Sequence, residues 1–324
     1  MALSIRIVSP GFLTTVLLAL CCGSGHAQSG TAAAKPTLLL PKGGIYFGAW
    51  VFPEGPKGGG NPTDDTRQLE EQIGRKLAVH VHYYGWHSAF PDAVMNDDAE
   101  NGRIPMVSWE SGGTMKETIA GGDDAMLIER AKAVKAWGRP MFIRYMWEMN
   151  LMLPPHLKVY GGSRDGAGEL YVATWRHIWQ VFRDQGVTNV VWVWNPSSAE
   201  KIAEGPRVDA APFYPGDEYV DWIGMDAYDR TETRVGYVKV FEFFYNEFKS
   251  HNKPTMIVET GAFPGLQTQY LHEVQTLTKT AFPLVNGFLY FDAPGHTVHP
   301  WSLTTDGIKA FAELGKDPYF QGHP

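Results

Sequence analysis

Eight short apolar runs, nearly all separated by helical segments, constrain this 324-residue chain more than any other feature. The runs cover residues 44–51, 79–86, 104–110, 140–150, 190–194, 219–228, 255–259 and 287–292. Amphipathic stretches between and after them read as helices over 64–78, 90–96, 123–137, 169–185, 238–251, 268–281 and 306–314. In 123–137, Met126, Leu127, Ala131 and Val134 fall on one stripe. In 64–78, acids lead and Arg75 and Lys76 trail, the order the helix dipole favours. The run 190–194 is continuous and β-branched, as expected of a strand covered on both faces. Alternation on this scale implies a parallel sheet, and eight units imply closure into a single (β/α)8 TIM barrel over 44–324. An open doubly wound sheet would show a Gly-x-Gly-x-x-Gly turn after its first strand, and none occurs there. The Gly- and Pro-rich stretches 55–62, 112–122 and 154–168 read as loops.

The first 27 residues read as an export signal. Arg6 is the only charge before Lys35, Phe12 to Leu20 is a short apolar core, and Gly25-His26-Ala27 suits cleavage before Gln28. The apolar core is too short to span a bilayer, and no membrane span is expected elsewhere. Residues 28–43 read as a flexible leader. Both cysteines, Cys21 and Cys22, lie in the signal, so the exported chain is expected to have no disulfide, thiol nucleophile or thiolate metal site. These features imply a secreted or periplasmic protein. The net charge of −7 argues against nucleic acid as a partner. A monomer is expected. Eleven tryptophans suit a groove that stacks the flat faces of sugars, although any single tryptophan more often serves the core.

Polar and aromatic groups collect at the carboxyl ends of the strands, among them Trp109, Glu148, Asn150, Trp194, Asn195, Asp226, Tyr228 and Glu259. In a barrel these ends share the face where catalysis sits. Strict alternation from Phe142 puts Arg144, Met146 and Glu148 on one side of strand four. Glu259 closes strand seven in a segment without a side-chain cation. Burying an unpaired carboxylate costs several kcal/mol or forces protonation, a cost tolerated mainly where it is used. Two carboxylates at the ends of strands four and seven can flank a glycosidic bond, and about 5–5.5 Å between them would give retention.

The segment Arg144-Tyr-Met-Trp-Glu148-Met-Asn150 resembles the acid/base segment of glycoside hydrolase family 26, the β-mannanase family, and Ile257-Val-Glu259-Thr-Gly261 its nucleophile segment. Residues 214–228 and Val191-Trp-Val-Trp-Asn195-Pro196 are similar to its sixth- and fifth-strand ends, in the right order. The resemblance implies a retaining glycosidase acting on β-linked polysaccharide, foremost β-1,4-mannan, with relatives that also act on mixed-linkage glucan or xylan. Glu148 would be the general acid/base and Glu259 the nucleophile. Tyr228 would hydrogen-bond Glu259, and Arg144 would favour its charged form. Trp194 and Asn195 would contact sugar, with Trp109, Trp147, Asn150 and Asp226 as further binding or supporting candidates. Trp147 stands where the family usually has histidine, and Leu151, Met152 and Leu153 where glycine and aromatics follow.

Two rivals remain. A metal hydrolase could use His80 and His82, but strands five to seven offer no histidine or lysine at their carboxyl ends, so His80 reads as core, His82 as a mouth residue, and neither metal nor cofactor is expected. A non-catalytic glycan-binding barrel would share the aromatics without turnover.

Overall fold

The computed structural model describes residues 38–52, 62–152, 154–198, 201–202, 205–206, 209–229, 235–293 and 301–324. The export signal, most of the leader and most of the loop 55–62 lie outside them. Eight parallel strands close the barrel: β1 Tyr46–Val51, β2 Val79–Tyr84, β3 Ile104–Trp109, β4 Met141–Tyr145, β5 Val190–Trp194, β6 Trp222–Asp226, β7 Thr255–Glu259 and β8 Val285–Asp292. They pair in chain order, and β8 closes on β1 from Tyr46↔Gly287 to Val51↔Asp292.

Two apolar sets hold this ring. Tyr46, Val79, Val81, Met106, Phe142, Val193, Trp222, Met256 and Leu289 fill the barrel, all at most 3% exposed. The opposite faces of the strands pack against the helices in a larger second set. The helices are α1 Pro62–Ile73, α2 Ala93–Glu100, α3 Met115–Ile119, α4 Asp124–Trp137, α5 Pro154–Val159, α6 Ala167–Asp184, α7 Tyr237–Phe248, α8 Gln267–Ala281 and α9 Thr305–Lys316. Residues 38–42 are not a loose leader. The Trp222 indole donates to the Leu38 carbonyl (2.6 Å), the Tyr46 hydroxyl to Leu39 (2.9 Å), and Lys42 bridges to His323.

Several local expectations are corrected. Helix α1 stops at Ile73, because Gly74 takes φ +71°, and Arg75 donates instead to the Gly315 and Phe320 carbonyls. The stretch 112–122 contains α3, started by a capping box between Thr114 and Glu117. The stretch 154–168 contains α5, which opens on prolines whose missing amide hydrogens an N-terminus does not need.

Candidate active site

Strand β4 ends at Tyr145, and strict alternation ends there too. Met146, Glu148 and Met152 all take positive φ (43°, 51° and 54°) without being glycine. Such residues cost of order 1 kcal/mol or more each, and they cluster where surrounding structure imposes them. Here the impositions are visible. The Met146 amide donates to the Trp109 carbonyl and the Glu148 amide to the Asn195 carbonyl, each at 2.8 Å. Met149 beyond them is fully buried. Met146 therefore turns away from the Arg144 face and takes a long contact from the Tyr160 hydroxyl (3.8 Å to Sδ). Glu148 is left half-exposed at the mouth.

A second irregularity aims Glu259. Met256 and Val258 belong to the barrel interior, so alternation would send Glu259 outward to the helices. The pairing of β6 with β7 slips by one residue. Met225 pairs with Ile257, but Asp226 pairs with Glu259. The extra residue returns Glu259 to the inner face beside Asp226, the usual work of a bulge near a functional site.

Arg144 organises what stands there. It is fully buried and spends its guanidinium on five acceptors: Ser108 Oγ (2.7 Å), Asn195 Oδ1 (3.2 Å), Asp226 Oδ2 (3.0 Å), Tyr83 Oη (3.0 Å) and Glu259 Oε1 (2.5 Å). Glu259, 4% exposed, also accepts from the Tyr83 hydroxyl on Oε1 (2.5 Å) and the Tyr228 hydroxyl on Oε2 (2.7 Å). Burial, reinforced by the Glu259 charge, pushes both phenols well above their ordinary pKa, so both remain donors. Three donors converging on two carboxylate oxygens fix the plane and direction of the group.

Asp226 is fully buried, and its Oδ1 has no hydrogen-bond partner among the described residues. Burial first, then the charges of Glu259 and Glu148, raise its pKa well above the carboxylate range against the opposing pull of Arg144. One guanidinium cannot neutralise three carboxylates, and the most buried acid is the one that keeps its proton. The same charge couplings bring Glu148 within electrostatic reach of Asp226 and Tyr228, both partners of the Glu259 cluster.

The candidates divide accordingly. Arg144, Asn195, Asp226, Tyr228 and Glu259 form one hydrogen-bonded cluster with Glu148 beside it. Trp147 joins through its ring, 4.9 Å edge-on from Tyr83 and 5.3 Å from the Arg144 guanidinium. Trp109, Trp194 and Asn150 are fully buried elsewhere. Trp109 stacks on Trp86 and donates to its carbonyl. Trp194 packs between Tyr214 and Phe248 and donates to Phe213. Asn150 clamps the backbone of Ser197 with both ends of its amide, so these three brace the walls rather than line the mouth. Sequence reasoning missed Tyr83. Its signal was parity: Val79, Val81 and Tyr83 share the inner face of β2. Parity also corrects His82, which faces outward.

Among the described residues, one group could hold a metal: His80, His82 and Asp98. Its charge is already balanced. Asp98 accepts from His80 (2.9 Å), His82 (2.5 Å) and the Arg103 guanidinium (2.7 Å), while Thr66 meets the other nitrogen of His80 (3.0 Å). A fixed guanidinium on the ligand oxygen opposes a cation, and the network instead ties β2 to α1 and α2.

Comparison with known proteins bears on this arrangement. The family model described as Glycosyl hydrolase family 26 matches residues 112–291. Endoglucanase H of Acetivibrio thermocellus is 29% identical over 286 residues; these cover 83% of this chain but only 30% of that much longer protein. Among solved structures, a Bacillus subtilis mannanase superposes with TM-score 0.61 at 20% identity, covering 86% of each chain. A family 26 β-mannanase of Bacteroides ovatus superposes with TM-score 0.60 at 17% identity, covering 86% of this chain and 90% of its own. At these identities the superpositions speak for the fold.

Proposed function

The chain belongs to glycosyl hydrolase family 26, and from that premise we propose that it hydrolyses β-linked polysaccharide, foremost β-1,4-mannan, by double displacement with retention. The observation that carries the reading is the immobilised carboxylate of Glu259, held by Arg144, Tyr83 and Tyr228 at the barrel mouth with Glu148 nearby. Glu259 attacks the anomeric carbon, and Glu148 gives its proton to the departing oxygen. Water, deprotonated by Glu148, then releases the sugar from Glu259. Asp226, keeping its proton, leaves the guanidinium free to serve the nucleophile, and Tyr228 can follow the charge as it passes between Glu259 and the sugar.

Mannan is favoured because the two solved structures described above are named mannanases; the curated relative's name favours a β-glucan instead. The test is release of reducing ends from β-mannan, mixed-linkage β-glucan, β-xylan and an exopolysaccharide, with the anomer of the first product read by NMR. Glu259→Ala should abolish release on the substrate that responds. Sugar binding without turnover on any of them would refute the reading in favour of a binding barrel, and an inverted product would refute the two-step mechanism. We further propose that residues 1–27 direct export and are removed, and that the exported protein acts as a monomer. An amino terminus other than Gln28 on the exported protein would contradict the first, and a dimer by light scattering the second.

A further inference from the structure

Trp147 has no part in the chemistry above, yet the backbone is pinned on both sides of it. The Met146 amide is bound to the Trp109 carbonyl and the Glu148 amide to the Asn195 carbonyl, and both flanking residues take positive φ. Strain concentrated on either side of one residue limits where its ring can go. The ring goes to Tyr83. The two meet edge-on with centres 4.9 Å apart, and the Arg144 guanidinium lies 5.3 Å from the Trp147 ring and 5.4 Å from that of Tyr83.

Tyr83 needs such a brace because the barrel wall is open beside it. Strands β1 and β2 pair only at Gly48↔Val79 and Ala49↔His80, whereas β1 follows β8 up to Val51↔Asp292 and β2 follows β3 up to Tyr84↔Trp109. A cavity of about 330 Å³ opens where β1 and β2 part, and Trp50, Phe52, His82 and Tyr83 are among its walls. A side chain beside a void lacks the contacts that would fix it on that side. Two tryptophans hold the Tyr83 ring where a neighbouring strand does not: Trp50 of β1, edge-on at 5.0 Å, and Trp147. Both are favourable edge-to-face pairs.

The position of that ring decides one hydrogen bond. Tyr83 Oη accepts from Arg144 (3.0 Å) and donates to Glu259 Oε1 (2.5 Å). A ring that swings toward the gap takes a donor from the nucleophile, and a displacement of about 1 Å is enough to lose so short a bond.

We propose that Trp147 is a positioning residue for the nucleophile: it braces Tyr83 beside the gap between β1 and β2 and so keeps the phenol on Glu259. The proposal rests on the assignment of Glu259 as nucleophile. It gives one strained segment two tasks, presenting Glu148 and, through the residue before it, steadying the carboxylate that Glu148 works with.

The test separates this role from two plainer ones, the seating of Glu148 and direct contact with sugar. The probe is 2,4-dinitrophenyl β-mannobioside, with the β-cellobioside beside it. Its leaving group departs without an acid, so kcat/KM reports attack by Glu259. Tyr83→Phe, which keeps the ring, should lower kcat/KM about 10-fold or more, the loss of one hydrogen bond to a charged group. Trp147→Ala should lower it about 5-fold, the worth of one edge-to-face pair, and Trp147→Phe should recover most of that loss. Trp147→Ala added to Tyr83→Phe should cost no more than about 2-fold further, because the bond it protects is already gone. If Trp147→Ala does not fold, Trp147→Leu, which keeps bulk without an aromatic edge, replaces it in the cycle. A loss confined to substrates with poor leaving groups would overturn the proposal in favour of a role on Glu148, and full additivity would overturn it in favour of a sugar contact. Neither result touches the glycosidase reading, whereas wild-type protein that turns over neither probe and none of the polysaccharides would overturn both.

Discussion

Replacing Arg144 with methionine tests the site more severely than removing either glutamate. The side chain is fully buried and serves five acceptors, two of them on the acidic side chains of Asp226 and Glu259. At the 2.5 Å of its bond to Glu259, Coulomb's law with an effective dielectric of about 20 gives ~6.6 kcal/mol, a ceiling before desolvation is subtracted. Removing one partner of a buried pair typically costs about 3–5 kcal/mol net. For a chain of this size that lowers Tm by roughly 5–8 °C. If half the cost is electrostatic, the acidic limb of the kcat/KM profile should rise by about 1–2 pH units, at ~1.4 kcal/mol per unit, because the site's carboxylates lose their cation. Calorimetry and a pH–rate profile on an activated substrate read the two effects separately. Arg144→Lys keeps the charge and loses the planar fork, so it should restore most of the acidic limb but little of the Tm. A methionine variant with unchanged Tm and an unmoved acidic limb would refute the view that this guanidinium holds the site together.

Three further outcomes are expected. Burial alone would raise the pKa of Asp98, but its bonds and charge interactions with His80 and His82 outweigh burial and lower it. An acid depressed on folding contributes stability above its unfolded value and loses it as pH falls toward the folded one, so Asp98→Asn should destabilise by about 3–5 kcal/mol at pH 7, and the gap should shrink below about pH 4. Urea unfolding at several pH values checks this, and a gap independent of pH would contradict it. In Gly224→Ala the new Cβ would lie 2.5 Å from Asn195 Cγ and Oδ1. The overpacking should cost about 1–3 kcal/mol in Tm-derived stability, and kcat should fall as Arg144 loses a positioned acceptor; a silent substitution would show that Asn195 is free to move. Glu148→Ala should spare substrates with good leaving groups far more than poor ones, and equal loss on both would remove the acid from its role.

The eight-unit barrel was legible in the sequence because its signals are local: apolar period, alternation, and Gly and Pro punctuation. The placement of Glu148 and Glu259 at strand ends was legible for a related reason, since an acid at the end of a buried strand stands out without any knowledge of its neighbours. The aim of each acid was not. Glu259 points inward only because β7 slips by one residue against β6, and Glu148 stands at the mouth only because its amide is bound by the end of β5. Neither slip nor tether has a local signature; each is imposed by a strand distant in sequence. Trp109 and Trp194 looked as suited to sugar as Trp147, and the sequence could not separate them, because a tryptophan at a strand end carries no mark of which face the closed ring will give it. Tertiary structure sent the first two into the packing beneath the helices and left Trp147 partly open, against Tyr83 and Arg144. Burial is a property of the whole fold, and it alone decided which of these chemically equal side chains meets solvent.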